Sequence, residues 1–182
     1  SVRVALLIAA LDDLQVRVCD IQNAYLTAPC REKICIIAGP EFGSEKGNTM
    51  IVTRALYGLK SSGAAFRSFL AETLNDIGFK PSLADPDVWM RPAMKSNGFK
   101  YWELILCYVD DLLCIHEDPT IALKQIQSNF KFKDDKIEEP QTYLGGDLSK
   151  ITNTDGIPCW SMSSDKYCTA MVKNIETVLK DK

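Results

Sequence analysis

Histidine is nearly absent from this chain, since His116 is the only one among its 182 residues. There are seven cysteines, but none of them forms a C-x-x-C pair. Without paired cysteines or further histidines at ligand spacing, a zinc site is excluded. Because the number of cysteines is odd and several stand in apolar stretches, reduced thiols in an intracellular protein explain them best.

Long apolar runs and an excess of positive charge are also missing. No run reaches the roughly 20 residues that span a bilayer, so neither membrane contact nor a signal peptide is expected. The net charge of −3 and the isoelectric point near 5.2 exclude a surface that binds nucleic acid over its whole area. Any such site must be local. The length fits one domain, or a domain with the start of another, and the opening without Met indicates a piece of a longer protein.

Helical and strand-like patterns mix along the chain without β-α-β regularity, which indicates the α+β class. We predict helices at 2–14, from Ser61 or Ser62 to Gly78, at 119–130, and from Ser163 or Ser164 onward. The first of these helices is apolar almost all round and is expected to be buried. We predict strands at 16–21, 33–38, 50–53 and 87–90, hairpins at 101–115 and 142–162, and a loop at 39–48.

Two adjacent acids, Asp110 and Asp111, interrupt one of the most apolar runs of the sequence, at 102–115. A buried pair of carboxylates is costly unless a metal or another cation compensates their charge. A tight turn between two buried strands, at the floor of a cleft, would let them hold a divalent cation. Taken alone, the pair is explained more simply as a solvated hairpin turn, because Asp is a good turn residue.

Asp20, far upstream, is a third acid next to an apolar stretch, because it stands at the end of a predicted apolar strand. Two or three carboxylates at one point on a sheet are the minimum for holding two Mg²⁺ ions, which prefer oxygen ligands. Paired metals about 4 Å apart can clamp the attacking and leaving oxygens of a phosphoryl transfer. If the two strand ends meet in the fold, Asp20, Asp110 and Asp111 would converge on a site for two Mg²⁺ ions, with Mn²⁺ as an alternative.

Five segments together resemble the palm of a Ty1/copia-type retrotransposon reverse transcriptase. They are Cys19–Leu26, Arg54–Lys60, Ala84–Trp89, Tyr108–Asp111 and Tyr143–Gly146. They follow the family's order and spacing and span nearly the whole chain, which makes the combination far more specific than Tyr-Val-Asp-Asp alone. The resemblance implies a polymerase palm with an antiparallel sheet backed by helices and with partial fingers over 1–162. A truncated thumb or connection helix would begin at 163–182.

The family's roles can be placed on the matching positions. Asp20 and Asp110 would be the main metal ligands and catalytic residues, with Asp111 as the third carboxylate. The implied substrate-binding positions are the backbone of Ile21, Tyr25 under the sugar of the incoming nucleotide, Gly58 and Lys60 near nucleotide and template, and Tyr108 and Val109 at the primer end. The implied primer grip is Tyr143, Leu144, Gly145 and Gly146. A core tyrosine at 25, a solvated lysine at 60 and a plain hairpin with a glycine bulge at 143–146 remain open.

The resemblance implies an RNA-directed DNA polymerase that joins dNTPs to the 3′-hydroxyl of a DNA or RNA primer on an RNA template. The parent Pol polyprotein would add RNase H and integrase and would work in a cytoplasmic virus-like particle or the nucleus. Ser61–Ala65 departs from the Gln-Ala-Pro-Arg type of segment usual after Lys60, and the basic finger strands are not seen. We therefore expect weak or no polymerase activity from the isolated chain. An inactive remnant that folds or binds nucleic acid, and a metal-dependent nuclease using the same acids, are the alternatives.

Overall fold

The structure, a computed structural model, describes residues 1–180 and mixes helices with antiparallel sheets. The helices in this range are α1 (Val2–Leu11), α2 (Ala24–Thr27), α3 (Ser62–Asp76), α4 (Pro119–Gln127) and α5 (Asp165–Lys180). The strands are β1 (Gln15–Asp20), β2 (Cys35–Ile37), β3 (Thr49–Ile51), β4 (Lys80–Pro81), β5 (Val88–Met94), β6 (Lys100–Tyr108), β7 (Asp111–His116), β8 (Thr142–Tyr143), β9 (Gly146–Thr152) and β10 (Pro158–Ser163). The predicted α+β class is confirmed. None of the helices in 1–180 is long and apolar enough to cross a membrane.

A five-stranded antiparallel sheet in the order β1-β7-β6-β5-β4 is the centre of the fold. β6 and β7 form the predicted hairpin, in which Tyr108 pairs with Asp111 across the turn. β1 pairs with β7 along its whole length, from Gln15 opposite His116 to Asp20 opposite Asp111. A three-stranded sheet, β10-β9-β8, and the β2-β3 pair complete the strands.

Both faces of the five-stranded sheet are covered, and β7 shows this most clearly. Leu112 and Cys114 belong to the cluster under α3 and α4, which includes Phe66 and Ile126. Leu113 and Ile115 belong to the cluster under α1 and β9. Because successive residues of a strand point to opposite faces, a strand buried on both sides needs an unbroken apolar run. This explains the apolar sequence on either side of Asp110-Asp111.

The first helix is shorter and less buried than predicted. It ends at Leu11 rather than 14, and Asp13 then takes a positive φ of 46°. Only one side of α1 is covered by the sheet and β10, so that Leu6 is buried whereas Val4, Leu7 and Leu11 are exposed. The prediction of a buried helix is therefore wrong for one side of α1, because the fold leaves several of its apolar residues uncovered.

Other boundaries differ by a few residues. α4 ends at Gln127 rather than 130, and Ile121 on it is exposed, although Pro119 lies in the first turn as predicted. Ser61 is the residue before α3, but its side chain makes no capping hydrogen bond. The loop predicted at 39–48 contains a short 3₁₀ segment at Pro40–Glu45. The first strand of the hairpin predicted at 142–162 is divided by a turn into β8 and β9, and β4 and the 3₁₀ turn Lys133–Asp135 were not predicted. The predicted last helix is present to Lys180, and its residues 181–182 lie outside the described part.

Candidate active site

Two acids that are far apart in sequence end neighbouring strands. Asp20 is the last residue of β1 and lies directly opposite Asp111, the first residue of β7. Directly opposed residues of an antiparallel pair carry their side chains on the same face, with Cβ atoms about 5 Å apart. The Ile21 N–H donates to the Asp110 carbonyl oxygen at 2.8 Å, which extends the pairing into the turn. The three predicted acids are thus brought to one edge of the sheet.

The carboxyl groups at this edge act on one another. Burial raises the pKa of Asp20, the charge of Asp110 raises it further, and Lys133 opposes the shift. Burial likewise raises the pKa of Asp111, with Asp110 and Asp20 adding to the effect. The Lys133 Nζ lies 3.9 Å from Asp20 Oδ2 and supplies part of the compensating charge. The remaining negative potential is what a cation would relieve.

The donor set suits a divalent cation, although it is not closed around one point. Within residues 1–180, no three acidic, histidine or cysteine side chains are grouped closely enough to enclose a metal ion. Carboxylate oxygens are the ligands that Mg²⁺ prefers, and Mg²⁺ needs only one or two of them from protein. Because Asp20, Asp110 and Asp111 repel one another at a half-exposed edge, the residues fit such an ion.

The tip of the β6–β7 hairpin is a strained two-residue turn. Val109 takes a φ of 53°, a region that β-branched residues rarely adopt. Its side chain and that of Tyr108 are exposed beside the acids. Strained backbone persists only where the surrounding structure enforces it, and such positions cluster at functional sites. The two residues predicted to meet the primer end therefore face open space.

A cleft of about 420 Å³ joins Asp20 and Asp111 to the turn between β8 and β9. Asp20, Asp111 and Leu144 all line it. Tyr143 is buried at the base of this turn and donates its hydroxyl to the Leu106 carbonyl oxygen at 3.2 Å. Tyr143 therefore anchors the turn, and Leu144 and Gly145 are the exposed members of the predicted primer grip.

Glycine is found at positions 145 and 146 for different structural reasons. Gly145 follows Leu144 with a positive φ of 76°, so the turn needs its conformational freedom. At Gly146 an added Cβ would lie 2.7 Å from the Met162 Cε, the end of a flexible side chain on β10, so Met162 would have to shift to make room. Gly145 is thus explained by the turn and Gly146 by its contact with Met162, and contact of this turn with a primer remains a prediction.

The predicted nucleotide-binding residues occupy three different settings. Tyr25 is half-buried, with its ring centroid 4.8 Å from that of Tyr57 and 6.2 Å from that of Phe66. Gly58 takes a φ of 93°, and an added Cβ would meet nothing within 4 Å, so its conformation rather than close packing requires glycine. Lys60 is exposed.

Lys133 is the site residue that sequence reasoning missed. An isolated bridge pairs Phe132 with Ile21, and this places the next residue, Lys133, beside Asp20. The signal in the sequence was the alternation of two aromatic with two basic residues at 130–133, which is typical of a half-buried extended segment. That alternation shows an extended segment, but not which strand it meets.

Over residues 1–179 the chain matches the model of the family described as "Reverse transcriptase (RNA-dependent DNA polymerase)". The chain belongs to this reverse transcriptase family. It is 30% identical over 156 residues to the Retrovirus-related Pol polyprotein from transposon RE1 of Arabidopsis thaliana, which covers 83% of this chain and 10% of that protein. It is 26% identical over 172 residues to the corresponding polyprotein from transposon TNT 1-94 of Nicotiana tabacum, covering 92% of this chain and 12% of that protein.

These relatives confirm the resemblance to a copia-type reverse transcriptase that the five segments indicated. The reverse transcriptase chain spans about a tenth of the length of the polyproteins that it matches. Those polyproteins therefore contain further segments outside the matched region.

Proposed function

We propose that this chain is the catalytic palm of an RNA-directed DNA polymerase that adds dNTPs to a primer 3′-hydroxyl. The observation that carries the proposal is the register of β1 and β7, which sets Asp20 opposite Asp111 and beside Asp110. Membership in the reverse transcriptase family supports the same chemistry. A solvated turn alone would not need a second acid delivered by another strand.

The three carboxylates would hold two Mg²⁺ ions, with Mn²⁺ as a substitute. Bound ions of this kind lower the pKa of an attacking hydroxyl and neutralise charge on a leaving pyrophosphate. Asp20, Asp110 and Asp111 would fix the ions at the sheet edge. Lys133 would add a positive charge on the same edge, close to where phosphate oxygens would gather.

The other predicted residues would position nucleic acid and nucleotide around this edge. Leu144 and Gly145 would hold the primer strand, because their turn lines the same cleft as the acids. The Tyr25 ring, held against Tyr57, would pack on a deoxyribose and exclude a 2′-hydroxyl by its volume. Lys60 is exposed and would meet a phosphate.

An RNA template, a DNA or RNA primer and dNTPs would be the partners, and RNase H and integrase would follow in the parent polyprotein. We place the protein inside the cell, in a cytoplasmic virus-like particle or the nucleus. Residues 1–162 would be the palm with partial fingers, and 163–182 the start of the thumb. In support of that boundary, α5 (Asp165–Lys180) buries none of its residues against the rest of the described chain.

Single-turnover primer extension tests the proposal, with the chain in excess over a labelled DNA primer on an RNA template. We expect slow, Mg²⁺- or Mn²⁺-dependent extension that Asp110→Asn abolishes. Asp155→Asn, which changes an exposed acid in the β9–β10 turn, is the matched control and should leave extension unchanged. No extension, together with intact metal binding, would instead favour an inactive remnant. Shortening of the labelled DNA would favour a nuclease.

A further inference from the structure

A second pocket, of about 210 Å³, meets the acid cleft at Tyr108, which lines both. It lies between α3 and the tip of the β6–β7 hairpin. Tyr25, Phe66 and Leu70 contribute aromatic and aliphatic walls to it. A ligand that reaches past the hairpin tip from the acids would therefore enter an apolar space.

An ion pair stands in the lining of this pocket. The Arg67 Nη2 lies 2.6 Å from Asp87 Oδ1, and the Arg67 side chain is 61% exposed. Asp87 is fixed by its backbone, because its carbonyl oxygen accepts from the Cys107 N–H at 2.9 Å and its own N–H donates to Asp85 Oδ1 at 3.0 Å. A guanidinium has five N–H donors, so the single bond to Asp87 leaves most of them for another partner.

The charges of the pocket select the kind of partner. A phosphate would be attracted by Arg67 but repelled by Asp87, so the pair gives little net field for an anion. A neutral oxygen acceptor on a base edge or a sugar takes an Arg N–H without that repulsion. Burial raises the pKa of the Cys107 thiol in the same lining, with Asp87 adding and Arg67 opposing, so the thiol brings no charge. Apolar and aromatic walls likewise favour a base or sugar face.

We propose that the part of this pocket between Arg67 and Tyr108 takes one nucleoside of the primer–template duplex, next to the incoming nucleotide on Tyr25, and that Arg67 donates to a neutral oxygen of its base edge or sugar. The inference rests on the proposed function. Because Tyr108 lines both the cleft and the pocket, a duplex that is bound at the acids would lie next to this pocket. Arg67 is thus a specific binding residue rather than one more phosphate contact.

Arg31 provides a matched control for Arg67. Its Nη2 lies 2.8 Å from Glu72 Oε1, and its side chain is 63% exposed, so it is an arginine in the same kind of surface ion pair. Unlike Arg67, it does not line the pocket at Tyr108. Arg31→Gln and Arg67→Gln therefore remove the same charge and the same type of ion pair, and only the second touches the pocket.

The test measures the Kd of the whole 182-residue chain for a fluorescent RNA–DNA primer–template in EDTA, at several salt concentrations. We expect Arg67→Gln to raise Kd about tenfold or more, as the loss of a good arginine contact to a base does. We expect Arg31→Gln to change Kd by no more than about twofold, as for a rim charge. The dependence of log Kd on log salt should stay the same in Arg67→Gln, because no phosphate contact is lost.

Three results would overturn the inference, and they differ in what else they affect. If both variants bind like the parent, the pocket assignment fails while the proposed function stands. If the salt slope of Arg67→Gln falls by about one, Arg67 contacts a phosphate. If the parent does not bind the hybrid at all, the inference and the nucleic-acid part of the proposed function fail together. Should Arg67→Gln not fold by circular dichroism, Arg67→Lys replaces it; the proposal then requires weakened binding, because the guanidinium fork is lost.

Discussion

Asp20 and Asp111 lie directly opposite each other in the antiparallel pairing of β1 with β7. This register keeps two like charges as nearest cross-strand neighbours, which is destabilising unless a cation is present. Burial, with Asp110 nearby, raises the pKa of both carboxyls in the folded chain. The arrangement is therefore costly for folding and useful for binding a metal.

Asp111→Asn should stabilise the metal-free protein. The pKa of Asp111 is higher in the folded chain than in the unfolded chain. Between these two pKa values the folded state binds more protons, so the stability of the fold falls as the pH rises through that interval. At neutral pH the substitution removes this repulsion. Since the group is partly exposed, we expect a gain of about 0.5 kcal/mol, or about 1–2 °C in Tm. Thermal unfolding in EDTA at pH 7 measures it, and a lower Tm would contradict the idea of repulsion.

Mg²⁺ should reverse that order of stability. A ligand at free concentration L that binds only the folded state stabilises it by RT ln(1 + L/Kd), so the Tm of the parent should rise with increasing Mg²⁺ or Mn²⁺. Asp110→Asn and Asp111→Asn should gain less, because a carboxylate ligand is lost. The exposed turn variant Asp155→Asn should respond like the parent. Equal gains in all four proteins would show that the ions bind elsewhere.

Tyr25→Ala should relax the choice between deoxy- and ribonucleotides. The Tyr25 ring is held 4.8 Å from the Tyr57 ring, so it has a fixed position from which to exclude a 2′-hydroxyl. We expect the preference for dNTP over rNTP to fall about tenfold in single-turnover extension, as when a steric wall is removed. Tyr25→Phe keeps the ring and should retain the preference. Lower stability with unchanged selectivity would identify Tyr25 as a core residue only.

The β6–β7 hairpin could be predicted from the sequence because its signal is local. Leu112–Ile115 is an unbroken apolar run, as expected for a strand covered on both faces. The pairing of Asp20 with Asp111 had no such local signal, because the sequence of neither strand determines the register between them. The resemblance to a known family supplied that expectation, and the structure shows the pairing itself.

Two features could not be predicted because they depend on contacts between segments that are distant in the sequence. α1 is apolar almost all round, yet only the side that includes Leu6 lies against the sheet. Glu103 sits in an apolar strand without any visible partner in its own segment. Its partners, Arg91 and His116, come from the two neighbouring strands. Local propensity carries no information on such contacts.

Leu6→Ala and Leu7→Ala should differ strongly, although the residues are adjacent and identical. Leu6 is 4% exposed in the cluster under the sheet, and Leu7 is 56% exposed. We expect Leu6→Ala to lower the free energy of unfolding by about 3 kcal/mol, because it leaves a cavity. Leu7→Ala should change it by less than about 0.5 kcal/mol. Urea unfolding measures both, and a similar loss in the two variants would mean that both sides of α1 are covered.

Glu103 should stabilise the fold through a buried network at the far end of β6 and β7. Its carboxylate lies 2.7 Å from Arg91 Nη2 and 2.9 Å from His116 Nε2, and all three side chains are largely buried. Glu103→Ala would leave the Arg91 charge unpaired, so we expect a loss of about 3 kcal/mol. Glu103→Gln keeps the shape and should lose less.

The same network predicts a pH dependence of stability. Burial alone would raise the pKa of Glu103, but the contacts to His116 and Arg91 outweigh it and hold the pKa below its usual 4.5. Glu103 therefore adds stability above the unfolded pKa, and this contribution is lost as pH falls through the lower folded value. The difference in unfolding free energy between the parent and Glu103→Gln should shrink as pH falls from 7 toward 3, in urea titrations at each pH. The exposed Glu176→Gln on α5 should show no such trend, and a pH-independent difference for Glu103→Gln would mean that its charge does not stabilise the fold.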